Sequence, residues 1–180
     1  MKGMIILAKG FEDTEAVTTM DIIFRAGISL DKVNMGDDEK IITQCQNVMW
    51  VPLMYKDIKM EDYDFLVIPG GGAVFNVLMK DSRVDDLVHY FVKTNKPVFA
   101  ICAGPMTIGK HGYFRDKKFT CFPSCEEGIE GKYTKDGVTV SGNFITGKSM
   151  AYTVDFGLAI VEKLLGKDKK KEVEAKIYAK

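Results

Sequence analysis

The chain has 180 residues, 46% of them hydrophobic, and its 25 basic and 25 acidic side chains balance to a formal net charge of zero. This length suffices for a full hydrophobic core, and a balanced charge argues against nucleic acid or an acidic membrane surface as the main partner. The four cysteines do not form the spaced framework of a disulfide-rich secreted domain. The apolar run between Gly3 and Lys9 is too short for a signal peptide or a membrane span. We therefore expect a single domain over residues 1–180, with reduced thiols and a cytoplasmic location.

Short apolar runs alternate with segments of helical spacing along the chain, beginning with a predicted strand over 4–8 and a predicted helix over 12–26. The predicted buried face of this helix comprises Val17, Met20, Ile23 and Phe24. Further strands are predicted over 28–35, 65–68 and 97–101 and near 119–122, 138–140 and 144–146, with a β-ribbon over 41–54 and helices over 81–94, 105–110 and 150–165. A last helix is predicted to begin at Lys167 and to dock through Val173 and Ile177. This alternation predicts a doubly wound α/β fold, with a mostly parallel sheet and helices on both faces.

Cys102 stands where a short apolar strand meets a turn. The run Pro97-Val98-Phe99-Ala100-Ile101 ends at Cys102, and Ala103-Gly104-Pro105 follows at once. Glycine and proline suit a tight turn and the start of a helix. A thiol at such an elbow faces backbone N–H groups and a helix start, which stabilise a thiolate. Cys102 is therefore the candidate nucleophile and the thiol expected to be most acidic, with a buried core cysteine as the alternative.

Two more features follow the ends of predicted strands, namely Glu15 and the turn Gly70-Gly71-Gly72. In open α/β sheets, ligands bind beyond the carboxyl ends of the strands, so these features belong to the same edge as Cys102. Glycines free the backbone to point N–H groups into a crevice, although ordinary turns use them as well. Glu15 has a competing interpretation as a carboxylate that stabilises the helix start, and Glu12 and Asp13 are equally suited to that role.

Four motifs occur in a consistent order and together extend over nearly the whole chain. They are Ile6-Leu7-Ala8-Lys9-Gly10-Phe11-Glu12 with Glu15 downstream, Val67-Ile68-Pro69-Gly70-Gly71, Ala100-Ile101-Cys102-Ala103-Gly104-Pro105, and Asp155-Phe156-Gly157-Leu158-Ala159-Ile160-Val161-Glu162. This pattern resembles the ThiJ/PfpI superfamily, in its DJ-one branch of parkinsonism-associated deglycases. The resemblance implies a flavodoxin-like sandwich and a homodimer. It also implies that Cys102 is the nucleophile or redox sensor, that a protonated Glu15 is its carboxyl partner, and that the N–H groups of Gly71 and Ala103 are oxyanion donors.

The sequence departs from this family at the position where relatives often carry a histidine. The stretch Thr120-Cys121-Phe122-Pro123 has Phe122 there, and the chain contains only two histidines, His89 and His111. Both suit ordinary positions on or at the end of a helix. A cysteine protease needs a base within hydrogen-bond reach of its thiol, so peptidase activity is not expected. Lys148 stands where relatives often carry an arginine near an anion site, which leaves anion recognition there open.

A competing motif, Gly142-Asn143-Phe144-Ile145-Thr146-Gly147-Lys148-Ser149, satisfies the Walker A pattern. Residues 144–146, however, indicate a buried strand rather than a phosphate loop. Too little chain follows for a strand that ends in a magnesium-binding aspartate. Nucleotide binding is therefore a remote alternative. Cys121 and Cys125 lack the second ligand pair of a zinc site, and we expect neither a metal nor a cofactor.

Two classes of function remain open. In the first, a glyoxalase-type or deglycase-type enzyme acts on small reactive carbonyl compounds such as methylglyoxal. The Cys102 thiolate adds to the carbonyl, the N–H groups hold the developing charge, and Glu15 transfers a proton. In the second, the protein is a non-catalytic sensor of oxidative stress or a chaperone, in which oxidants convert Cys102 to a sulfenate or sulfinate.

The ribbon over 41–54 also carries a cluster of interface-type residues, which are Val48, Met49, Trp50, Val51, Leu53 and Met54. Together with the family resemblance, this cluster predicts a symmetric homodimer. Burial of the same residues within one protomer is the alternative.

Overall fold

A six-stranded sheet forms the centre of the fold in the computed structural model, which describes residues 1–178. The strands in chain order are β1 (Lys2–Leu7), β2 (Ser29–Asn34), β3 (Lys40–Ile42), β4 (Val48–Trp50), β5 (Phe65–Ile68), β6 (Val98–Ile101), β7 (Lys118–Phe119), β8 (Lys132–Tyr133), β9 (Val138–Ser141) and β10 (Phe144–Gly147). The main sheet has the order β2-β1-β5-β6-β10-β9, and its neighbours pair in parallel except for β9 and β10. Apart from the antiparallel edge strand β9, this is the 2-1-3-4-5 order of flavodoxin-like folds.

Helices cover this sheet in two groups. The helices are α1 (Asp13–Arg25), α2 (Gly72–Asn76), α3 (Ser82–Lys93), α4 (Met106–Gly109), α5 (Thr153–Leu165) and α6 (Lys167–Lys176). Helix α5 contacts both α1 and α6, whereas α3 contacts α4 and the strands β5 and β6. All residues of β5 and β6 are buried, as strands covered on both faces must be. The predicted doubly wound, flavodoxin-like α/β fold is confirmed.

The predicted elements agree with the structure where the local pattern is strong. Strand β5 has the predicted bounds, and α3 begins after Asp81, whose carboxylate accepts the N–H of Arg83 at 2.9 Å. The predicted helix over 105–110 is shorter, since only Met106–Gly109 is α-helical. The five-residue α2 and the two-residue β8 were not predicted, because segments this short have no detectable periodicity. Within residues 1–178, no helix combines the length and the hydropathy needed to cross a membrane.

The predicted inner face of α1 is wrong in part. Ile23 is fully buried and Met20 is half-buried, but Phe24 is 78% exposed and Val17 is 47% exposed. The buried residues of the helix are Glu15, Ala16, Thr19, Ile22 and Ile23. Ile22 lies against α5 at Gly157, where an added Cβ would come within 2.8 Å of it. Close packing of Ile22 against α5 therefore sets which face of α1 is buried, and Val17 and Phe24 lie outside that face.

The predicted ribbon is an antiparallel hairpin of β3 and β4, but its apolar residues divide between two environments. Val51 is fully buried, and Met49 and Leu53 pack against the core, so burial within the protomer accounts for these three. Val48 and Trp50 are 64% and 63% exposed, because alternate residues of a strand point to opposite faces. Of the predicted dimer-interface cluster, Val48 and Trp50 are therefore the side chains that remain exposed for contact with a second protomer.

The Walker A pattern does not form a phosphate loop. Gly142, with φ of 60°, and Asn143 make the turn between β9 and β10, and the next four residues are the buried strand β10. This strand pairs with β6 on one side and β9 on the other, so its backbone N–H groups are used in hydrogen bonds within the sheet and do not face a phosphate group. The predicted buried strand at residues 144–146 is confirmed, and this pattern supplies no phosphate loop.

Candidate active site

Cys102 occupies a sharp turn at the carboxyl end of β6. Its φ of 63° lies in the left-handed region, which residues other than glycine rarely adopt. The Cys102 N–H donates to the carbonyl of Gly147 at 2.9 Å, and the Cys102 carbonyl accepts the N–H of Phe122 at 2.9 Å. Two segments distant in sequence thus hold this strained residue in place. The backbone turn that the sequence predicts here is present.

Glu15 enters the site from the first turn of α1 and is only 1% exposed. Its Oε2 accepts the N–H of Gly70 at 2.8 Å, and its side chain lies beside that of Cys102, on the same side of Gly70. Burial raises the pKa of Glu15 to about 7, although the hydrogen bonds from Cys102 and Gly70 oppose this rise. Near neutral pH, the carboxyl group is therefore able both to hold and to release a proton.

Three carboxylates begin α1, and the structure assigns each a different contact. The Glu12 side chain accepts the N–H of Glu15 at 2.6 Å and so caps the helix. Asp13 faces away from the thiol toward the β3–β4 turn, where it accepts hydrogen bonds from Thr43 Oγ1, the Cys45 N–H and Asn47 Nδ2. Because Glu12 supplies the cap, the helix-stabilising interpretation of Glu15 loses its main support.

Gly70 and Gly71 bring the backbone close to both reactive side chains. A Cβ on Gly70 would lie 2.6 Å from Glu15 Oε2 and 2.9 Å from Cys102 Sγ, so no other residue fits without displacing them. The Gly70 carbonyl accepts the N–H of Glu12 at 3.1 Å. In a trans peptide the N–H points opposite to the carbonyl, and the Gly71 N–H accordingly faces the Cys102 sulfur. The Ala103 N–H faces the same sulfur.

The ionisation of Cys102 depends on its neighbour. Burial raises the pKa of the Cys102 thiol and a charged Glu15 raises it further, whereas the N–H groups of Gly71 and Ala103 lower it. Helix α4, with four residues, is too short to add much through its dipole. Position at a helix start alone therefore does not make this thiol acidic. An acidic Cys102 requires that Glu15 keep its proton, which removes the repelling charge and supplies a third donor.

The remaining residues that the sequence singled out lie outside this constellation. His89 Nδ1 is 2.7 Å from the Tyr113 hydroxyl, His111 Nε2 is 3.0 Å from Asp85 Oδ1, and the centroids of the two imidazole rings are 4.3 Å apart. Neither histidine is bonded to Cys102. Phe122 contributes its backbone N–H to the site, and its side chain is half-exposed.

The other expected contacts involve a lysine and two cysteines. Lys148 Nζ lies 3.4 Å from the carbonyl of Lys135. Cys121 and Cys125 are buried free thiols, and burial raises the pKa of Cys121 to about 12. In the part of the chain that the structure describes, no group of three or more His, Cys, Asp or Glu side chains is arranged to hold a metal ion.

Gln44 is the site neighbour that the sequence analysis did not identify. Its Oε1 accepts the N–H of Gly72 at 2.7 Å, next to the Gly71 donor. This contact joins residues 28 positions apart, and Gln44 lies in no motif, so the local sequence contains no signal for it.

Comparison with known proteins places these features in context. A model of the DJ-1/PfpI family matches residues 1–163. Over 176 residues the chain is 31% identical to Protein dj-1beta of Drosophila melanogaster, which covers 95% of this chain and 93% of that protein. It is 30% identical over 180 residues to the Glutathione-independent glyoxalase DJ-1 of Schizosaccharomyces pombe, with 94% of each chain covered. Protein DJ-1 homolog B of Arabidopsis thaliana is 28% identical over 168 residues, and the chain spans 38% of its length.

The fold agrees with a solved structure from the same set of relatives. The crystal structure of Drosophila melanogaster DJ-1beta superposes with a TM-score of 0.88 at 27% sequence identity, covering 100% of both chains. The similarity therefore includes the sheet and every element that positions Cys102 and Glu15.

Proposed function

Because the chain belongs to the DJ-1/PfpI family, as its motifs predict, we propose that it is a stress-protective protein whose Cys102 and Glu15 convert small reactive carbonyl compounds. The observation that carries the proposal is the buried carboxyl group of Glu15, which lies beside a cysteine in a strained turn. A relative is named a glutathione-independent glyoxalase. An enzyme of that kind must supply the thiol from its own chain, and Cys102 is the thiol whose neighbouring carboxyl group, Glu15, is fully buried.

The first step is addition of sulfur to an aldehyde carbon, with methylglyoxal as the example. Glu15 keeps its proton while Cys102 is ionised, so the thiolate attacks and the carbonyl electron pair becomes an alkoxide. The N–H groups of Gly71 and Ala103 are oriented toward the sulfur and so lie close to this developing charge. Glu15 then gives its proton to the alkoxide, which leaves a neutral hemithioacetal and a carboxylate.

The second step moves two hydrogens between the two oxygen-bearing carbons of the substrate. The Glu15 carboxylate removes the proton from the former aldehyde carbon and returns it to the neighbouring ketone carbon. The hydroxyl proton of the hemithioacetal passes to the ketone oxygen, so the first carbon becomes the carbonyl of a thioester and the second carries a hydroxyl group. The first carbon is oxidised and the second is reduced, so no external electron acceptor is needed. Water hydrolyses the thioester, and lactate and the Cys102 thiol are released. A pKa of about 7 suits Glu15 to act as acid and as base in turn.

The test is a steady-state assay of the purified protein with methylglyoxal, with lactate measured as the product. We expect Cys102→Ser and Glu15→Gln each to reduce kcat at least about 100-fold, a typical loss for a general acid–base group. Cys45→Ser is the matched control, because Cys45 is an exposed thiol outside the site. Lactate formation that persists in Cys102→Ser would contradict the proposal.

A second candidate function is that of a cysteine-based sensor of oxidants. It is favoured by the same three hydrogen-bond donors around Cys102, which are the N–H groups of Gly71 and Ala103 and the protonated carboxyl group of Glu15. A peroxide converts the thiolate to a sulfenate and a second equivalent converts that to a sulfinate, and protonated Glu15, Gly71 and Ala103 are positioned to donate to the new oxygens. After mild peroxide treatment, peptide-resolved mass spectrometry should find sulfinate chiefly on Cys102. Oxidation that begins at Cys45, Cys121 or Cys125 would contradict this role.

We also propose that the protein assembles as a homodimer through the outer faces of α1 and the β3–β4 hairpin. The exposed apolar residues there are Val17, Phe24, Val48 and Trp50. Asp13 links the two elements, and Val17 and Val48 line the same surface groove between them. Light scattering at micromolar concentration should give a dimer, and Val48→Asp should shift it toward monomer. Val140→Asp is the control, since Val140 is a 55% exposed valine of β9. A monomeric wild-type protein would overturn this assembly.

A further inference from the structure

The turn between β3 and β4, residues 43–47, touches the glycine loop that carries one of the thiolate donors. From this contact, and on the basis of the proposed function, we infer that Gln44 is a positioning residue that holds the Gly71 N–H on the Cys102 sulfur. Gln44 Oε1 accepts the N–H of Gly72 at 2.7 Å. The Gln44 N–H donates to the carbonyl of Phe11 at 2.9 Å, which fixes the base of its side chain against the loop before α1.

The turn itself is held rigidly by Asp13. The carboxylate accepts hydrogen bonds from Thr43 Oγ1 at 2.6 Å, Asn47 Nδ2 at 2.7 Å and the Cys45 N–H at 3.0 Å. Partial burial works against ionisation, but the hydrogen bonds from Asn47, Thr43 and Cys45 together lower the pKa of Asp13 to about 2. The carboxylate is therefore charged at every physiological pH, and its contacts place Gln44 at a defined position.

Gly71 lies between two peptide groups that are held from different sides. The Gly70–Gly71 peptide is fixed by the Glu12 N–H, which donates to the Gly70 carbonyl at 3.1 Å. The Gly71–Gly72 peptide is held by Gln44, which accepts its N–H, and by the Val74 N–H, which donates to its carbonyl at 3.1 Å. Gly71 has a φ of 89°, a region in which glycine has wide conformational freedom, so the angle between the two peptides is not set by local sterics. Glu12 holds one side of Gly71, and Gln44 adds a side-chain contact on the other, so the loss of Gln44 loosens the direction of the Gly71 N–H.

The proposed role of Gln44 requires a hydrogen-bond acceptor in its side chain, so substitutions that remove or restore an acceptor test it. Methionine has nearly the length of glutamine but no strong acceptor, so Gln44→Met frees the Gly72 N–H without leaving a cavity. Gln44→Glu restores an acceptor oxygen. The hydrogen bond lies at an exposed position, where water partly replaces a lost partner, and the expected effect is therefore moderate.

The experiment measures the rate of Cys102 alkylation by iodoacetamide as a function of pH, followed on the Cys102 peptide by mass spectrometry. We expect Gln44→Met to slow alkylation at pH 7 by about 2- to 10-fold, the range of one net hydrogen bond, and to move the pH profile upward. Gln44→Glu, measured at about 0.5 M salt to screen its added charge, should restore most of the rate. Gln46→Met is the matched control, being the same substitution two residues along the same turn.

Amide hydrogen exchange gives a second readout that does not depend on reactivity. Exchange at Gly72 should quicken in Gln44→Met and stay slow in Gln44→Glu. A Gln44→Met profile that superimposes on the wild type, or a Gln46→Met variant with the same loss, would overturn the inference. A wild-type protein that alkylates normally at Cys102 but produces no lactate would contradict the proposed enzyme activity alone, because alkylation requires only the thiol.

Discussion

The carboxylate of Glu12 accepts the backbone N–H of Glu15 at 2.6 Å, so the residue that caps α1 is not the one that faces the thiol. Because Glu12 caps the helix, the Glu15 side chain is able to contact Gly70 and Cys102 while α1 keeps its N-terminal hydrogen bond. Helix capping by Glu12 and contact with the thiol by Glu15 can therefore be removed one at a time by mutation.

The first prediction distinguishes two functions of the Glu15 side chain, which are proton transfer to the substrate and hydrogen-bond donation to the Cys102 sulfur. Glutamine at position 15 is able to accept from Gly70 and to donate to sulfur, so Glu15→Gln should leave the pH profile of Cys102 alkylation nearly unchanged while lactate formation falls. Glu15→Leu removes the donor and should raise the thiol pKa and slow alkylation at neutral pH. Iodoacetamide rates measured against pH for the three proteins provide the comparison.

Glu12→Ala is the control for that series. Loss of the cap should lower the free energy of unfolding by about 1 kcal/mol and leave alkylation unchanged, because the Glu12 backbone N–H still holds Gly70. If Glu15→Gln, Glu15→Leu and the wild type give superimposable curves, Glu15 and Cys102 do not form a functional pair.

The second prediction follows from the raised pKa of Glu15. The folded protein holds a proton on this carboxyl up to about pH 7, whereas the unfolded chain releases it near the ordinary value of 4.5. The stabilising contribution is therefore complete below pH 4.5 and is lost as pH rises through 7, by an amount on the order of 3 kcal/mol. Glu15→Gln should abolish this loss. Denaturant unfolding at pH 4.5 and 7.5 tests it, and equal losses in both proteins would refute the assignment.

A third prediction concerns the space beside Gly70. Gly70→Ala places a Cβ 2.6 Å from Glu15 Oε2 and 2.9 Å from Sγ, so the pair must separate. We expect a stability loss of about 1 to 3 kcal/mol, typical of overpacking, together with loss of most lactate formation. Gly72→Ala is the control from the same loop, because its added Cβ would have no neighbour closer than 3.4 Å. Equal activity in the two variants would show that the close approach at Gly70 is unimportant.

The fourth prediction concerns the pair His89 and His111. Their contribution to stability is lost as pH falls, whereas that of Glu15 is lost as pH rises. Burial lowers the pKa of His89, and the adjacent His111 lowers it further. The other charged groups that act on it are Lys93, which lowers its pKa, and Asp85 and Asp86, which raise it. The unfolded chain therefore binds a proton first, and stability is lost as pH falls below the ordinary value of 6.5.

His89→Asn retains a hydrogen-bonding group opposite Tyr113 but cannot be protonated. Calorimetric melting temperatures at pH 7.5 and 5.5 should show the wild type losing more stability than this variant on acidification. The contribution of Glu15 is common to both proteins and cancels in the comparison. A parallel decline in the two proteins would exclude His89 as the titrating group.

The sequence alone determined the order of the main strands and helices and the position of the sharp turn. Periodicity and turn residues act over a few positions, and for that reason the strand Phe65–Ile68, the helix Ser82–Lys93 and the turn at Cys102 are all apparent from local patterns. The ordered motifs add the family to this information, and with it Glu15 as the expected partner of Cys102.

Only the tertiary structure decided which side chains meet. The choice among Glu12, Asp13 and Glu15 depends on a contact between Glu15 and Gly70, which are 55 positions apart. Close packing at Gly157 leaves Phe24 exposed, although its spacing suits a buried face. The Walker A pattern becomes a buried strand because β6 and β9 pair with it, and Gln44 reaches Gly72 only because a hairpin folds back on the glycine loop. Each outcome arises from contacts between distant segments, whose geometry no local pattern of residues encodes.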